Sequence, residues 1–154
     1  MFGEGKSPFA LVVKGAFEEA RQRGDRRLGT VHLLLGCLRA PEPAQALGVD
    51  AHTARAALDA LDRAALRAIG IDVGETPPAR PRKHPPVPGT ALTSSARAVI
   101  NQAIKATPRK TRSIAAPAQL LLALLAQARP DPVAELLDRL GIDRAAVRAR
   151  LEAS

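Results

Sequence analysis

The segment LGTVHLLLGCLRA, Leu28 to Ala40, sets five leucines around one histidine and one cysteine. AAPAQLLLALLAQA, Ala115 to Ala128, returns to the same core, with HLLLGCL and QLLLALL aligning without a gap. Downstream of each lies a second match in the same order. LGVDAHTARAAL (Leu47–Leu58) and LGIDRAAVRARL (Leu140–Leu151) share leucine, glycine and aspartate, pair Arg55 with Arg148, and close on Leu58 and Leu151. A unit of helix, loop, leucine-rich helix, turn and capped helix therefore occurs twice. One unit has too little core to be stable alone, whereas two can face their leucine helices together and bury both. The leucine segments are thus expected to be the buried centres of two pseudo-symmetric halves.

Composition points the same way. The 154 residues suit one domain or two very small ones, and 46% of them are hydrophobic. With three Phe and no Trp or Tyr, the core must be built from Leu, Ala, Ile and Val. Ala and Leu are strong helix formers and long β-branched alternations are absent, so the fold class is all-α. The formal charge of +8 permits an acidic partner without dictating a fold. The single cysteine, Cys37, has no internal disulfide partner, which fits a reducing cytosol. MFGEGKSPFA lacks an apolar leader core, and the leucine run from Leu120 to Leu125 is too short to span a bilayer. The expected location is cytoplasmic.

Along the chain, Ser7 and Pro8 open a first helix with Ala10, Val13, Phe17 and Ala20 as its apolar stripe, ending at Gly24. Thr30 is the expected N-cap of a second helix running to about Arg39, which Pro41 and Pro43 stop. PAQALG then reads as a turn into Gly48. Asp50 caps AHTARAALDAL, and DRAALRAIG adds a further helical piece ending near Gly70. A Pro- and Gly-rich stretch with Arg80, Arg82 and Lys83 forms a partly extended linker. Helical pattern resumes at Thr93, with Val99, Ala103 and Ile104 on one face, and Pro108 breaks it. Pro117 is expected to open the leucine helix. Asp131 and Pro132 open the next, which ends at Gly141, and Asp143 caps the last, with Val147 and Leu151 inward.

An N-terminal phenylalanine, a helix ending in Gly24, LGTVHLLLGCL and LGVD, then LTSSARAVINQAI, QLLLALL and LGID, together resemble the N-terminal domain of Clp unfoldases. The likeness is to the ClpC type and its stand-alone actinobacterial relatives, and it covers nearly the whole chain. It implies a single domain over residues 1–154 of about eight helices. These form two pseudo-twofold four-helix repeats, 7–70 and 92–154, around a Pro-rich linker, 71–91. It also implies a domain that docks substrates or adaptors. No GxxxxGK[ST] phosphate loop occurs in the sequence, so no ATPase is expected in it. ClpC-type members usually read GTEH in both repeats, with glutamates implicated in holding phosphorylated arginine. Here those positions are Val31 and Ala118, neither of which can offer a carboxylate to a guanidinium, and Gln119 replaces the second histidine. The departure argues against phosphoarginine recognition.

Candidate partner-binding residues are Phe2, Arg26, Arg27, Thr30, His32, Arg109, Lys110 and Arg112. Phe2 enters through the resemblance, since the N-terminal phenylalanine region of family relatives contributes to a peptide- and small-molecule-binding surface. Phe9 is expected to be a core anchor. RQRGDRR (Arg21–Arg27) and KATPRKTR (Lys105–Arg112) fall in the same place in each repeat, the loop between its first two helices. They read either as solvated loops or as a basic docking surface for an anionic ligand such as an acidic peptide. His32 is expected to be a packed or rim histidine bonded to a neighbouring loop, and Cys37 a small core residue. His52 and His84 are expected to be exposed, and the histidines lack metal-site spacing. No nucleophile with a base and carboxylate partner stands out, so no catalytic residue, metal or cofactor is expected.

The leading expectation is a non-catalytic protein- or peptide-binding module, with substrates, adaptors, a Clp unfoldase or a small-molecule ligand as partners. The alternative is a nucleic-acid-binding basic helical protein, which the net charge permits. The basic stretches lack aromatic residues for base stacking and no recognition helix is evident, so nucleic acid is the weaker expectation.

Overall fold

The structure, a computed structural model, describes residues 8–71, 84–107 and 112–153. Among the described residues there are eight helices: α1 (Pro8–Arg23), α2 (Thr30–Cys37), α3 (Pro41–Leu47), α4 (Ala51–Ala68), α5 (Ser94–Ala106), α6 (Arg112–Leu125), α7 (Pro132–Arg139) and α8 (Arg144–Ala153). Among the described residues no helix is long and apolar enough to cross a membrane. The all-α expectation holds.

The two leucine helices are the centre of the molecule. Leu33, Leu34 and Leu35 of α2 and Leu120, Leu121, Leu124 and Leu125 of α6 are fully buried, and the two helices are in contact. Around them α1 packs on α2 and α6, and α5 on α6 and α2; α7 touches α2 and α4, while α3 touches α6 and α8. The core is aliphatic, with Phe9 buried at its edge as expected.

The helix ends follow the capping chemistry. Gly24, Gly48 and Gly141 take positive φ at the ends of α1, α3 and α7. Asp50 Oδ1 accepts from the backbone N–H of Thr53 (2.7 Å), Asp143 Oδ1 from Ala146 (3.1 Å) and Thr93 Oγ1 from Ala96 (3.1 Å). Asp131 caps α7 with Pro132 in its first turn.

Several sequence expectations give way. PAQALG is no turn: Pro41 to Leu47 is a helix, because both prolines fall in its first turn, where an N–H has no intrahelical acceptor. Pro117 lies inside α6 instead of opening it, so that helix starts five residues earlier with one backbone bond fewer. The two pieces after Asp50 are one helix, α4. The second helix stops at Cys37, short of Arg39. The buried face of α1 is Phe9, Val12, Ala16, Glu19 and Ala20, whereas Ala10 is exposed and Val13 and Phe17 are half-buried. This rotation puts the small residues of α1 against Gly36 of α2. A Cβ on Gly36 would stand 2.7 Å from the Val12 carbonyl oxygen and 3.0 Å from the Ala16 nitrogen. The two backbones touch where only glycine fits.

The end of the stretch expected to be a linker is joined to the loop before α2. Leu28 N–H donates to Ala91 O (2.8 Å) and Thr93 N–H to Leu28 O (2.9 Å), forming a single parallel bridge at Leu28 and Leu92. His84 is half-buried instead of exposed: its ring covers Gly24, and its carbonyl accepts from Arg21 Nε at 2.9 Å.

Candidate functional site

The expected site residues fall into three groups. Thr30 and His32 sit at the start of α2 and are buried, with their polar atoms turned inward. Gly29 is the N-cap, in place of the expected Thr30, since His32 Nδ1 accepts the Gly29 N–H at 2.8 Å from the third helical position. That bond makes Nδ1 an acceptor, so Nε2 carries the proton and donates to Asp25 at 2.7 Å, tying the loop before α2 to the helix. Thr30, now the first helical residue, donates its hydroxyl to Asp131 Oδ1 across 101 residues of sequence, at 2.5 Å. The same oxygen accepts from Val133 N–H, so one carboxylate caps α7 and fastens α2 to it.

Arg26 and Arg27 form the second group and are exposed on the same loop. Their neighbours in the basic run are engaged. Arg21 holds His84, and Arg23 pairs with Asp59 (2.7 Å) and Asp62 on α4 and lies 3.6 Å from Asp25. Burial raises the Asp62 carboxyl above its ordinary value; Arg23 opposes this, and Asp25 and Asp59 add to it. The third group cannot be joined to these two. Phe2, Arg109 and Lys110 lie outside the described residues, and of Arg112 only its place at the start of α6 is described. Lys105 is exposed in the last turn of α5, while the Leu28 bridge holds the Arg26–Arg27 loop at that helix's other end. Thirteen residues of helix, about 20 Å, separate the two ends.

Sequence reasoning missed the most organised polar cluster. Glu19 is 1% exposed, yet it is charged. Arg55 grips it as a fork, Nε to Oε1 and Nη2 to Oε2, both at 2.7 Å. Arg39 adds Nε (2.9 Å) and Nη2 (2.6 Å), both to Oε2. Burial alone would raise the Glu19 carboxyl; the bonds from Arg55 and then Arg39 outweigh it and hold the group below the usual glutamate value. The signal available in sequence was a glutamate on the apolar side of α1 with an arginine just past α2. Cys37 is fully buried, and burial pushes its thiol up to about 12, so it is not a nucleophile in the folded chain. Among the described residues no group of three or more His, Cys, Asp or Glu side chains is placed to hold a metal ion.

Arg39 also borders a surface groove of about 420 Å³ between α1, the end of α2 and α6. Its floor is Leu11, Val12, Gly15, Gly36, Ala40 and Pro117, and its charged rim is Lys14, Glu18 and Arg39. Leu11 is 57% exposed there. No family model matches the chain, and no curated protein matches it.

Proposed function

We propose that the chain is a non-catalytic protein- or peptide-binding module, related to the substrate- and adaptor-docking domain of Clp unfoldases and working in the cytoplasm. The groove beside α1 carries this reading: an apolar floor with an exposed leucine, bordered by a few charges, is the usual form of a site that orients an extended ligand. Polypeptide substrates or adaptors are the proposed partners, with a Clp unfoldase as the machine they are handed to. The leucine-rich repeat and its capped helices support the kinship, although Val31 and Ala118 leave no carboxylate for a phosphorylated arginine. A small apolar ligand would suit the same floor. The two exposed arginines of the Arg26–Arg27 loop favour the nucleic-acid alternative, and the test includes it.

The test is fluorescence anisotropy with two labelled probes, reduced carboxamidomethylated α-lactalbumin as a permanently unfolded protein and a short DNA duplex, at about 50 and about 200 mM salt. Saturable binding of the unfolded protein at both salts is expected, with Leu11→Ser weakening it about tenfold through lost apolar contact. Duplex binding is expected to collapse at the higher salt. If the unfolded protein fails to bind, or the duplex is retained more tightly than it at the higher salt, the reading is wrong.

A further inference from the structure

We infer that the groove beside α1 selects an acidic peptide segment, seating an Asp or Glu side-chain carboxylate against Arg39 and a neighbouring aliphatic side chain on the floor. This rests on the peptide-binding reading above and gives its ligand a chemistry. Arg39 is fixed before any ligand arrives. Its Nε and Nη2 are committed to Glu19, and its side chain lies across Gly15, with Cδ 3.1 Å and Nη1 3.5 Å from where a Cβ on that glycine would stand. An alanine at position 15 would press on the arginine; glycine leaves it a bed.

The donor count leaves capacity for a ligand. A guanidinium has five N–H groups, and the bonds to Glu19 engage only the Nε and Nη2 nitrogens of Arg39, leaving Nη1 outside them. The side chain remains 37% exposed and lines the groove. Because a buried carboxylate already holds the guanidinium in place, little rotamer freedom remains to be lost on binding.

Charge decides the sign of the ligand. Glu19 is shared by two guanidinium groups, Arg39 and Arg55, so that cluster keeps one positive charge in excess. Lys14 adds another on the rim and has no ion-pair partner among the described residues, while Glu18 subtracts one. Three cations therefore stand against two carboxylates, and the deeper carboxylate is already saturated by arginine. A free carboxylate or phosphate would use the cations and waste the floor, whereas an aliphatic residue beside a carboxylate uses both.

The probes are two capped, fluorescein-labelled peptides, one with a central glutamate between leucines and one with glutamine in its place. A third, glutamine-containing peptide has a free C-terminal carboxylate. The glutamate peptide is expected to bind at least tenfold more tightly than the capped glutamine peptide. Arg39→Gln should weaken the glutamate peptide about tenfold and so erase that difference. Since Arg39→Gln also removes a partner of Glu19, its fold is checked by circular dichroism, and two rim variants test the same point independently. Glu18→Gln should tighten the glutamate peptide about twofold, and Lys14→Gln should weaken it about twofold, as expected for partly exposed charges. Equal binding of the two capped peptides, preference for the free C-terminal carboxylate, or indifference to Glu18→Gln and Lys14→Gln overturns the inference. If unfolded lactalbumin binds but neither capped peptide does, the inference fails and the broader reading stands. If lactalbumin does not bind either, both fail.

Discussion

The helices α2 and α6 carry the same leucine register and differ in how they are fastened. In α2, eight residues long, His32 caps Gly29 and reaches Asp25, Thr30 reaches Asp131, and Gly36 meets the backbone of α1 directly. In α6, fourteen residues long, the matching positions hold Gln119, Pro117 and Ala123. Gln119 is half-buried and its side chain makes no hydrogen bond among the described residues. Similar apolar cores have been given different anchors: polar bonds and close approach in the first, length in the second. A short helix contributes few backbone bonds of its own, so its position rests more heavily on its ends.

The largest effect tests what the helices share. Leu34→Ala and Leu121→Ala each remove a fully buried leucine and should cost about 2–5 kcal/mol by urea denaturation. A loss below about 1 kcal/mol at either site would break the equivalence of the two leucine helices.

The next tests how they differ. Gly36→Ala should destabilise by about 1–3 kcal/mol despite alanine's better helix propensity, because the methyl group meets the Val12 carbonyl and the Ala16 backbone. Ala123→Gly should cost about 1 kcal/mol from propensity. If Gly36→Ala proves stabilising, the close approach of α1 and α2 is wrong.

Smaller again is the ion cluster, which separates the matched residues Arg55 and Arg148. Arg55 grips Glu19, whereas Arg148 is exposed without an ion-pair partner among the described residues. Glu19→Gln should cost about 1–2 kcal/mol at neutral pH, less than a fully buried pair because both guanidinium groups are more than a third exposed. The Glu19 carboxyl is depressed in the folded chain, so its contribution is complete above the unfolded glutamate value and is lost as pH falls through the folded one. Thermal melts of wild type and Glu19→Gln should therefore converge on acidification below about pH 4.3. Parallel pH profiles would contradict the pairing. Arg148→Gln should change stability by less than about 0.5 kcal/mol.

The smallest effect concerns the helix start. His32→Ala should cost about 1 kcal/mol through the lost bond to the Gly29 N–H, and Gln119→Ala less than about 0.5 kcal/mol, read from the same denaturation curves.

Much of this architecture could be read in the chain. The leucine runs revealed the buried helices, and the Gly–x–Asp signals marked the starts of α4 and α8, because each records a local requirement of burial or capping. Proline misled at Pro43 and Pro117. Its cost depends on its place in the helix, and that place depends on where tertiary contacts let the helix begin. The α1 stripe was displaced because apolar spacing says nothing of Gly36, whose approach favours the small side of α1. The ion cluster beside the groove was the least legible part. Glu19 and Arg55 are 36 residues apart, and nothing local marks them as partners. The basic runs stand out in the sequence, yet two of their arginines, Arg21 and Arg23, are bound to the protein itself.

The Leu28 bridge to Ala91 and Thr93 has a topological consequence. It pairs the loop before α2 with the segment that leads into α5, and α2 is also in contact with α5 and α6. Separating α2 from α5 would therefore have to break backbone hydrogen bonds as well as strip the leucine core.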